Sequence, residues 1–170
     1  MLLDFQRGRF FLGSGFARWE SVARLVIVVL PKVKGMQMGV YLNRAKELRK
    51  IVEPHYNCAQ AVLVPFAERS EMGGEQAYAV SQAFGRGMQT GSVCGACVGA
   101  LMALGIEGLA DPKTTSGLVR RMKANHGGVI TCAELLRRCA EAGEDRHVHC
   151  DGMVFEGVSL VEELLEESGR

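Results

Sequence analysis

Helix-ending signals divide the chain from Tyr41 onward into short segments, and their spacing constrains the fold more than any other feature. Pro54 disfavours a helical residue before it, and glycines end later segments at Gly105 and at Gly127–Gly128. The segments predicted to be helical are 41–51, a second from 57, 75–84, 92–104, 114–125, a sixth from 131, and 158–167. The sequence therefore predicts an all-α fold, a compact bundle of about six or seven helices with short loops, and at most one short extended piece at 129–130.

The composition agrees with helices that pack closely. Hydrophobic residues make up 48% of the 170 residues, but aromatic residues only 6%. A β-sandwich of this size would normally contain more aromatic and β-branched residues. A chain of this length can form one domain with a sizeable core, together with an appendage.

Residues 1–37 differ from the rest in charge and pattern. They contain six basic and two acidic residues, whereas residues 38–170 contain fourteen basic and seventeen acidic ones. We predict a basic appendage at 1–37 and a helical functional domain at 38–170. The appendage could be a disordered tail, a segment upstream of a true start at Met36 or Met38, or an amphipathic stretch that touches lipid.

The charge distribution and the cysteine count limit the possible functions. The domain at 38–170 has a net charge of −3 and no basic stripe, so we expect no nucleic-acid partner. The apolar run at 25–30 is too short to span a bilayer and makes a poor signal peptide. We therefore predict a cytoplasmic protein, with membrane contact the less favoured interpretation of the appendage, in which six cysteines indicate metal binding or redox chemistry.

Two cysteines share the same local setting. In Asn57-Cys58-Ala59-Gln60 and in Thr131-Cys132-Ala133-Glu134, an N-cap residue is followed three positions later by Gln or Glu, which is the capping-box pattern. Each cysteine would be the first helical residue, where free amides and the helix dipole favour an anion. We expect a lowered thiol pKa at both positions.

Cys94 is a candidate for a third helix start, with Ser92 as the N-cap. The helix that follows has Gly95 and Gly99 on one face. Small residues at this spacing allow close approach of another helix, of a cofactor, or of a second copy of the chain. A homodimer is therefore one expectation.

The other cysteines are predicted from their surroundings. Cys150 lies in a polar stretch before the last predicted helix, together with His147 and His149, so it is a candidate site residue. Cys97 and Cys139 lie among apolar residues and are interpreted mainly as core. Cys97 also completes a CxxC with Cys94, which keeps it as a possible metal ligand.

Several motifs occur in an order that resembles the C_GCAxxG_C_C family of redox-active proteins. The resemblance covers about residues 42–166. The segments that carry it are Tyr56–Val62, Phe84–Met88, Cys94–Ala96 with Gly99–Ala100, Ile130–Leu136, and Cys150. The chain departs from the family pattern at Arg86, where a run of glycines is usual, and in its additional Cys97 and Cys139.

The resemblance implies a compact helical domain with a redox role and four characteristic cysteines. These fall on Cys58, Cys94, Cys132 and Cys150. We expect them to bind an iron–sulfur cluster, most simply [2Fe–2S], for electron transfer to a redox partner protein or for sensing.

Two other functions stay open at this point. Without a metal, the same four cysteines would be the catalytic thiols of a thiol–disulfide oxidoreductase, the one enzyme class that the sequence suggests. A structural zinc site is the other possibility, with His147 and His149 as alternative ligands.

Overall fold

A computed structural model describes residues 39–169, and this part of the chain is a bundle of α-helices. The helices are α1 (Val40–Lys50), α2 (Cys58–Ala67), α3 (Gly74–Val80), α4 (Gly95–Ile106), α5 (Pro112–Asn125), α6 (Cys132–Glu141) and α7 (Arg146–Glu167). A 3-10 turn (Gln82–Phe84) and a π turn (Gly87–Gly91) connect α3 to α4. The all-α prediction is confirmed, and the described residues contain no β-strand, only an isolated bridge between Val93 and Thr131.

The predicted boundaries differ most from the structure at the third and the last helix. The third helix ends at Val80 rather than Phe84 and continues as the 3-10 turn. The last helix begins at Arg146, twelve residues before the predicted start at Val158. Its N-cap is Asp145, whose side chain accepts hydrogen bonds from the backbone N–H groups of His147 and Val148.

Helix α2 forms the centre of the bundle. It contacts α1, α3, α4 and α7, and every residue from 59 to 67 is buried. On α1, Tyr41 stacks on Phe66 with a ring-centroid distance of 4.0 Å. Such burial on all sides explains why α2 is apolar along nearly its whole length.

Glycines allow α4 to lie directly against its neighbours. A Cβ atom on Gly99 would lie 2.7 Å from the carbonyl oxygen of Ala59 in α2. On the other side, a Cβ atom on Gly157 of α7 would lie 3.2 Å from the carbonyl oxygen of Ala96. The expected close helix contact is confirmed. Because α2 covers this face of α4, the face is not free for a second copy, and a homodimer stays a prediction.

The N-terminal predictions lie outside the described residues. This applies to the appendage at 1–37 and to the boundary at 38. Among the residues from 39 to 169, no helix is both long and apolar enough to cross a membrane.

Candidate metal centre

The start of α2 positions Cys58 by side-chain capping. Oδ1 of Asn57 accepts hydrogen bonds from the backbone N–H groups of Ala59 and Gln60, at 2.9 and 3.0 Å. In return, Oε1 of Gln60 accepts one from the N–H of Asn57 at 2.8 Å. The predicted capping box is confirmed, and Cys58 is the first residue of the helix and half-buried.

The start of α6 positions Cys132 differently. Thr131 is the N-cap residue but makes no side-chain capping hydrogen bond, so the second predicted capping box is wrong. Instead, the N–H of Cys132 donates to the carbonyl of Ser92 at 2.6 Å, and the N–H of Cys94 donates to the carbonyl of Ile130 at 2.8 Å. Backbone pairing between two distant segments therefore fixes Cys132, which is buried.

The other two cysteines occupy positions that differ from the predicted ones. Cys94 is itself the N-cap of α4, because the helix begins at Gly95 and not near Ser92. Cys150 lies inside the first turns of α7 and not in a loop before it. Both corrections place a cysteine near the beginning of a helix.

The four cysteines line a single cavity. It is partly open to solvent and has a volume of about 20 Å³, which is near the minimum that holds one water molecule. Its lining residues are Cys58, Cys94, Cys132, Leu135, Leu136, His149, Cys150 and Met153. Elements far apart in the sequence thus bring four cysteines to one mostly apolar pocket.

Gly95 makes this close approach possible. A Cβ atom on Gly95 would lie 3.0 Å from Sγ of Cys58 and 2.7 Å from the carbonyl oxygen of Phe84. Real Cβ atoms rarely come so near a sulfur or a backbone oxygen. Glycine at the start of α4 therefore leaves room for the backbone of Phe84 and for the sulfur of Cys58.

Burial makes thiolates unfavourable in the cavity when no cation is present. The pKa of Cys94 rises to about 12, mainly because the thiol is buried, and nearby Cys58 and Cys132 raise it further; hydrogen bonds from the N–H groups of Ala96 and Cys97 act in the opposite direction. Burial and neighbouring cysteines also raise the pKa values of Cys132 and Cys150. The lowered pKa that the sequence predicted for Cys132 is wrong.

Three arginines lower the pKa values of these thiols and so partly offset the effect of burial. Arg86 and Arg146 lower the pKa of Cys132, and Arg146 and Arg49 lower that of Cys150, although burial outweighs them. Arg49 is held in place by Asp151, with Nε 2.6 Å from Oδ1, and by the carbonyl oxygen of Tyr56 at 2.6 Å. Sequence reasoning did not identify these cations because their effect on the thiols depends on how the helices pack against one another.

A left-handed stretch of backbone passes beside the cavity. Arg86, Met88 and Gln89 have φ values of 55°, 56° and 60°, which non-glycine residues rarely adopt. Between them, Gly87 has a φ of 62°, and a Cβ atom on it would lie 2.9 Å from Cβ of Cys132. The segment therefore combines backbone strain with direct contact to the start of α6.

Of the other predicted candidates, two cysteines and one histidine lie outside the cavity lining, and one histidine is part of it. Cys97 is fully buried in the hydrophobic core on α4 and does not line the cavity. Cys139 is buried on α6, also outside the cavity lining. His147 is exposed, whereas His149 lines the cavity beside Cys150.

The fold and the cavity define an all-helical protein in which four cysteines from separate helices surround one pocket. The chain belongs to the C_GCAxxG_C_C family, because the family model described as "Putative redox-active protein (C_GCAxxG_C_C)" matches residues 56–164, well over half of the sequence. Comparison with curated proteins and with solved structures gave no match.

Proposed function

We propose that Cys58, Cys94, Cys132 and Cys150 bind a [2Fe–2S] cluster that serves in electron transfer or sensing. The observation that carries the proposal is that all four cysteines line one cavity. Four cysteine thiolates are the common ligand set of such clusters. The family description as redox-active supports the same class of function.

The raised pKa values of the cavity thiols are compatible with a metal centre. Three of the four thiols have raised pKa values, because the site is buried and because neighbouring thiolates repel one another. A bound metal ion has the opposite effect, because its positive charge stabilises the thiolate and lowers the pKa of the coordinating thiol. A cavity that disfavours free thiolates is thus consistent with cysteines that act as ligands.

The surroundings fit an anionic centre as well. The N–H groups of Ala96 and Cys97 donate hydrogen bonds to Cys94, and Arg49 and Arg146 act on Cys150. Hydrogen bonds to cluster sulfurs and nearby charge are known to tune the potential of such centres. We expect these groups to hold the ligands in place and to stabilise the net negative charge.

The cavity volume sets a condition on this proposal. The enclosed volume of about 20 Å³ is small compared with a [2Fe–2S] core, but the cavity is open to solvent on one side. Cluster binding therefore requires the cysteine side chains to move outward on the open side of the cavity. Cys58 and Cys150, the two cysteines that are only half-buried, are the ones with room to do so.

The same volume favours a second candidate, a single tetrathiolate ion such as Zn²⁺. Structural zinc sites are tetrahedral and often use four cysteines. Such a site would also require the side chains to move, because the four cysteines are not among the described residues whose ligand atoms lie within 4.8 Å of one another. It would stabilise the fold without itself transferring electrons.

A metal-free thiol–disulfide oxidoreductase is supported by one observation. Cys58 is half-buried at a helix start and lines the same cavity as Cys94, so attack by one thiol and resolution by another are geometrically reasonable. Against it, a pKa of about 12 keeps Cys94 protonated at neutral pH. We therefore rank this function below the two metal centres.

Anaerobic purification followed by metal analysis tests the proposal. The expected result is a coloured protein with iron and acid-labile sulfide in equal amounts. Cys94→Ser should remove both, whereas the matched control Cys97→Ser, on the same helix but outside the cavity, should retain them. Stoichiometric zinc without sulfide would favour the second candidate, and a metal-free protein with reactive thiols the third.

The proposed site also suggests the cellular location and the binding partners of the protein. We propose a cytoplasmic location, where thiols stay reduced, and a redox partner protein that docks over the half-buried cysteines. An excess of acidic residues from 38 to 170 gives no support to nucleic-acid binding.

A further inference from the structure

A second group of metal-ligating residues lies at the connection between α6 and α7. It consists of Cys139 near the end of α6, Glu144 in the connection, and His149 on α7. One ligand atom from each lies within 4.8 Å of the others. None of these residues is among the four cysteines of the proposed cluster.

The imidazole of His149 is not committed to another interaction. Its Nε2 is shielded from solvent and has no hydrogen-bond partner among the described residues. Its Nδ1 lies 4.0 Å from Oε2 of Glu144, beyond hydrogen-bonding range. Nδ1 is thus the nitrogen near Glu144 that is available to a cation, and the unpartnered Nε2 makes no hydrogen bond that would hold the ring in another orientation.

The side chains of Cys139 and Glu144 lie close to the His149 ring. Sγ of Cys139 lies 3.4 Å from the carbonyl oxygen of Glu144, to which the thiol donates a weak hydrogen bond. This contact directs the sulfur toward the connection. The neighbouring acid Asp145 is used in capping α7, so the free carboxylate at this end is that of Glu144.

We infer that Cys139, Glu144 and His149 form a site for a single divalent transition-metal cation of the Zn²⁺ class. A sulfur, an imidazole nitrogen and a carboxylate oxygen suit a borderline-soft cation, and three protein ligands leave a fourth position for water. On binding, the Cys139 thiol releases its proton to solvent and its S–H contact to Glu144 is replaced by a bond to the metal.

The site would join the two helices that carry half of the cysteine cavity. Cys132 is at the start of α6 and Cys150 is near the start of α7, and His149 also lines the cavity. A cation at Cys139, Glu144 and His149 would therefore fix the α6–α7 connection next to the proposed cluster. The inference does not depend on what the four cysteines bind.

Cobalt(II) is the probe for this site, because its bond to a thiolate gives a charge-transfer band and because it replaces zinc well. The full-length Cys94→Ser variant, which lacks one cavity ligand, should bind one equivalent of Co²⁺ with a thiolate band. Adding Cys139→Ser should abolish that band. Adding Glu144→Gln should weaken Co²⁺ binding by roughly tenfold or more, whereas the control Glu141→Gln, at an exposed acid on the same stretch, should not change it.

The outcomes separate this site from the cysteine cavity. A thiolate–cobalt band that survives Cys139→Ser and Glu144→Gln would overturn the inference. Loss of all Co²⁺ uptake in Cys94→Ser alone would also overturn it, because the cation would then belong to the cavity. Glu144 is exposed, so its variant tests the site even where Cys139→Ser disturbs the fold. Failure of cluster assembly in the wild type would leave these results unaffected.

Discussion

The starts of α2 and α6 each present a cysteine to the same cavity, but they are held by different forces. At α2, Asn57 and Gln60 cap the helix with their own side chains. At α6, Thr131 makes no capping bond, and Glu134 instead pairs with Arg137 and Arg138. The α6 start depends on backbone hydrogen bonds to the 92–94 segment.

Cys58 and Cys132 are therefore held in place by different kinds of interaction. Cys58 is positioned mainly by capping bonds within its own helix start, and the amides of Asn57 and Gln60 also donate to the carbonyls of Gln82 and Tyr78. Cys132 is positioned by contacts between segments about forty residues apart, and these form only when the whole bundle folds. We expect changes at the α2 start to act locally and changes around residues 85–92 to disturb the α6 side of the cavity.

The largest expected effect concerns Cys94, which links the two helix starts. Below about pH 9 its thiol is protonated in both the folded and the unfolded chain. Above that pH only the unfolded chain loses the proton, because the folded pKa is about 12. The stability of the metal-free protein should therefore fall by up to about 4 kcal/mol between pH 9 and pH 12.

Chemical denaturation at several pH values checks this prediction. The metal-free wild type should lose stability above pH 9 more steeply than Cys94→Ser does. Equal slopes for the two proteins would show that the Cys94 thiol is not buried as described.

Gly87→Ala should disrupt the α6 start. Its Cβ would lie 2.6 Å from the backbone nitrogen of Ser92, at a residue whose φ is already 62°. We expect a loss of about 3 kcal/mol, from overpacking and left-handed strain combined. Gly128→Ala is the matched control: it has a positive φ but nothing within 4 Å, so it should cost only about 1 kcal/mol. Equal losses in thermal or denaturant unfolding would contradict this contact.

The capping difference predicts unequal effects of two alanine substitutions. Asn57→Ala removes two N-cap hydrogen bonds and should cost about 1–2 kcal/mol. Thr131→Ala removes no capping bond and should change stability by less than about 0.5 kcal/mol. Denaturant midpoints measure both, and a Thr131→Ala loss as large as that of Asn57→Ala would remove the distinction between the two helix starts.

The smallest expected effect comes from Arg86→Gly. Glycine relieves the strain at φ 55°, which should raise stability by about 0.5–1 kcal/mol. The same change removes a positive charge that lowers the pKa of Cys132, so that thiol should react more slowly with iodoacetamide. Alkylation followed by mass spectrometry measures the rate. A faster reaction at Cys132 would contradict the assigned charge effect.

Features that depend on neighbouring residues were predictable from the sequence. The capping box at Asn57 and the close packing of the Gly99 face are examples, since each follows from residue types a few positions apart. The start of α7 was missed because a polar stretch containing Gly152 resembles a loop, although Asp145 is a good N-cap. Cys150 was consequently placed in the wrong kind of element.

Features that depend on tertiary contacts were not predictable. The raised pKa of Cys132 results from burial and from neighbouring thiols, which no local motif encodes. Arg49 reaches the cavity through an ion pair with Asp151, a residue about a hundred positions away. The Cys139, Glu144 and His149 group likewise appears only when α6 and α7 fold against each other.

X-ray absorption at the iron edge of anaerobically prepared protein most directly tests the claim that the four cysteines bind an iron–sulfur cluster. We predict a first shell of four sulfur atoms per iron and a second-shell iron neighbour, both lost in Cys94→Ser and retained in Cys97→Ser. A first shell dominated by nitrogen or oxygen, or the same sulfur shell in Cys94→Ser, would contradict the proposed centre.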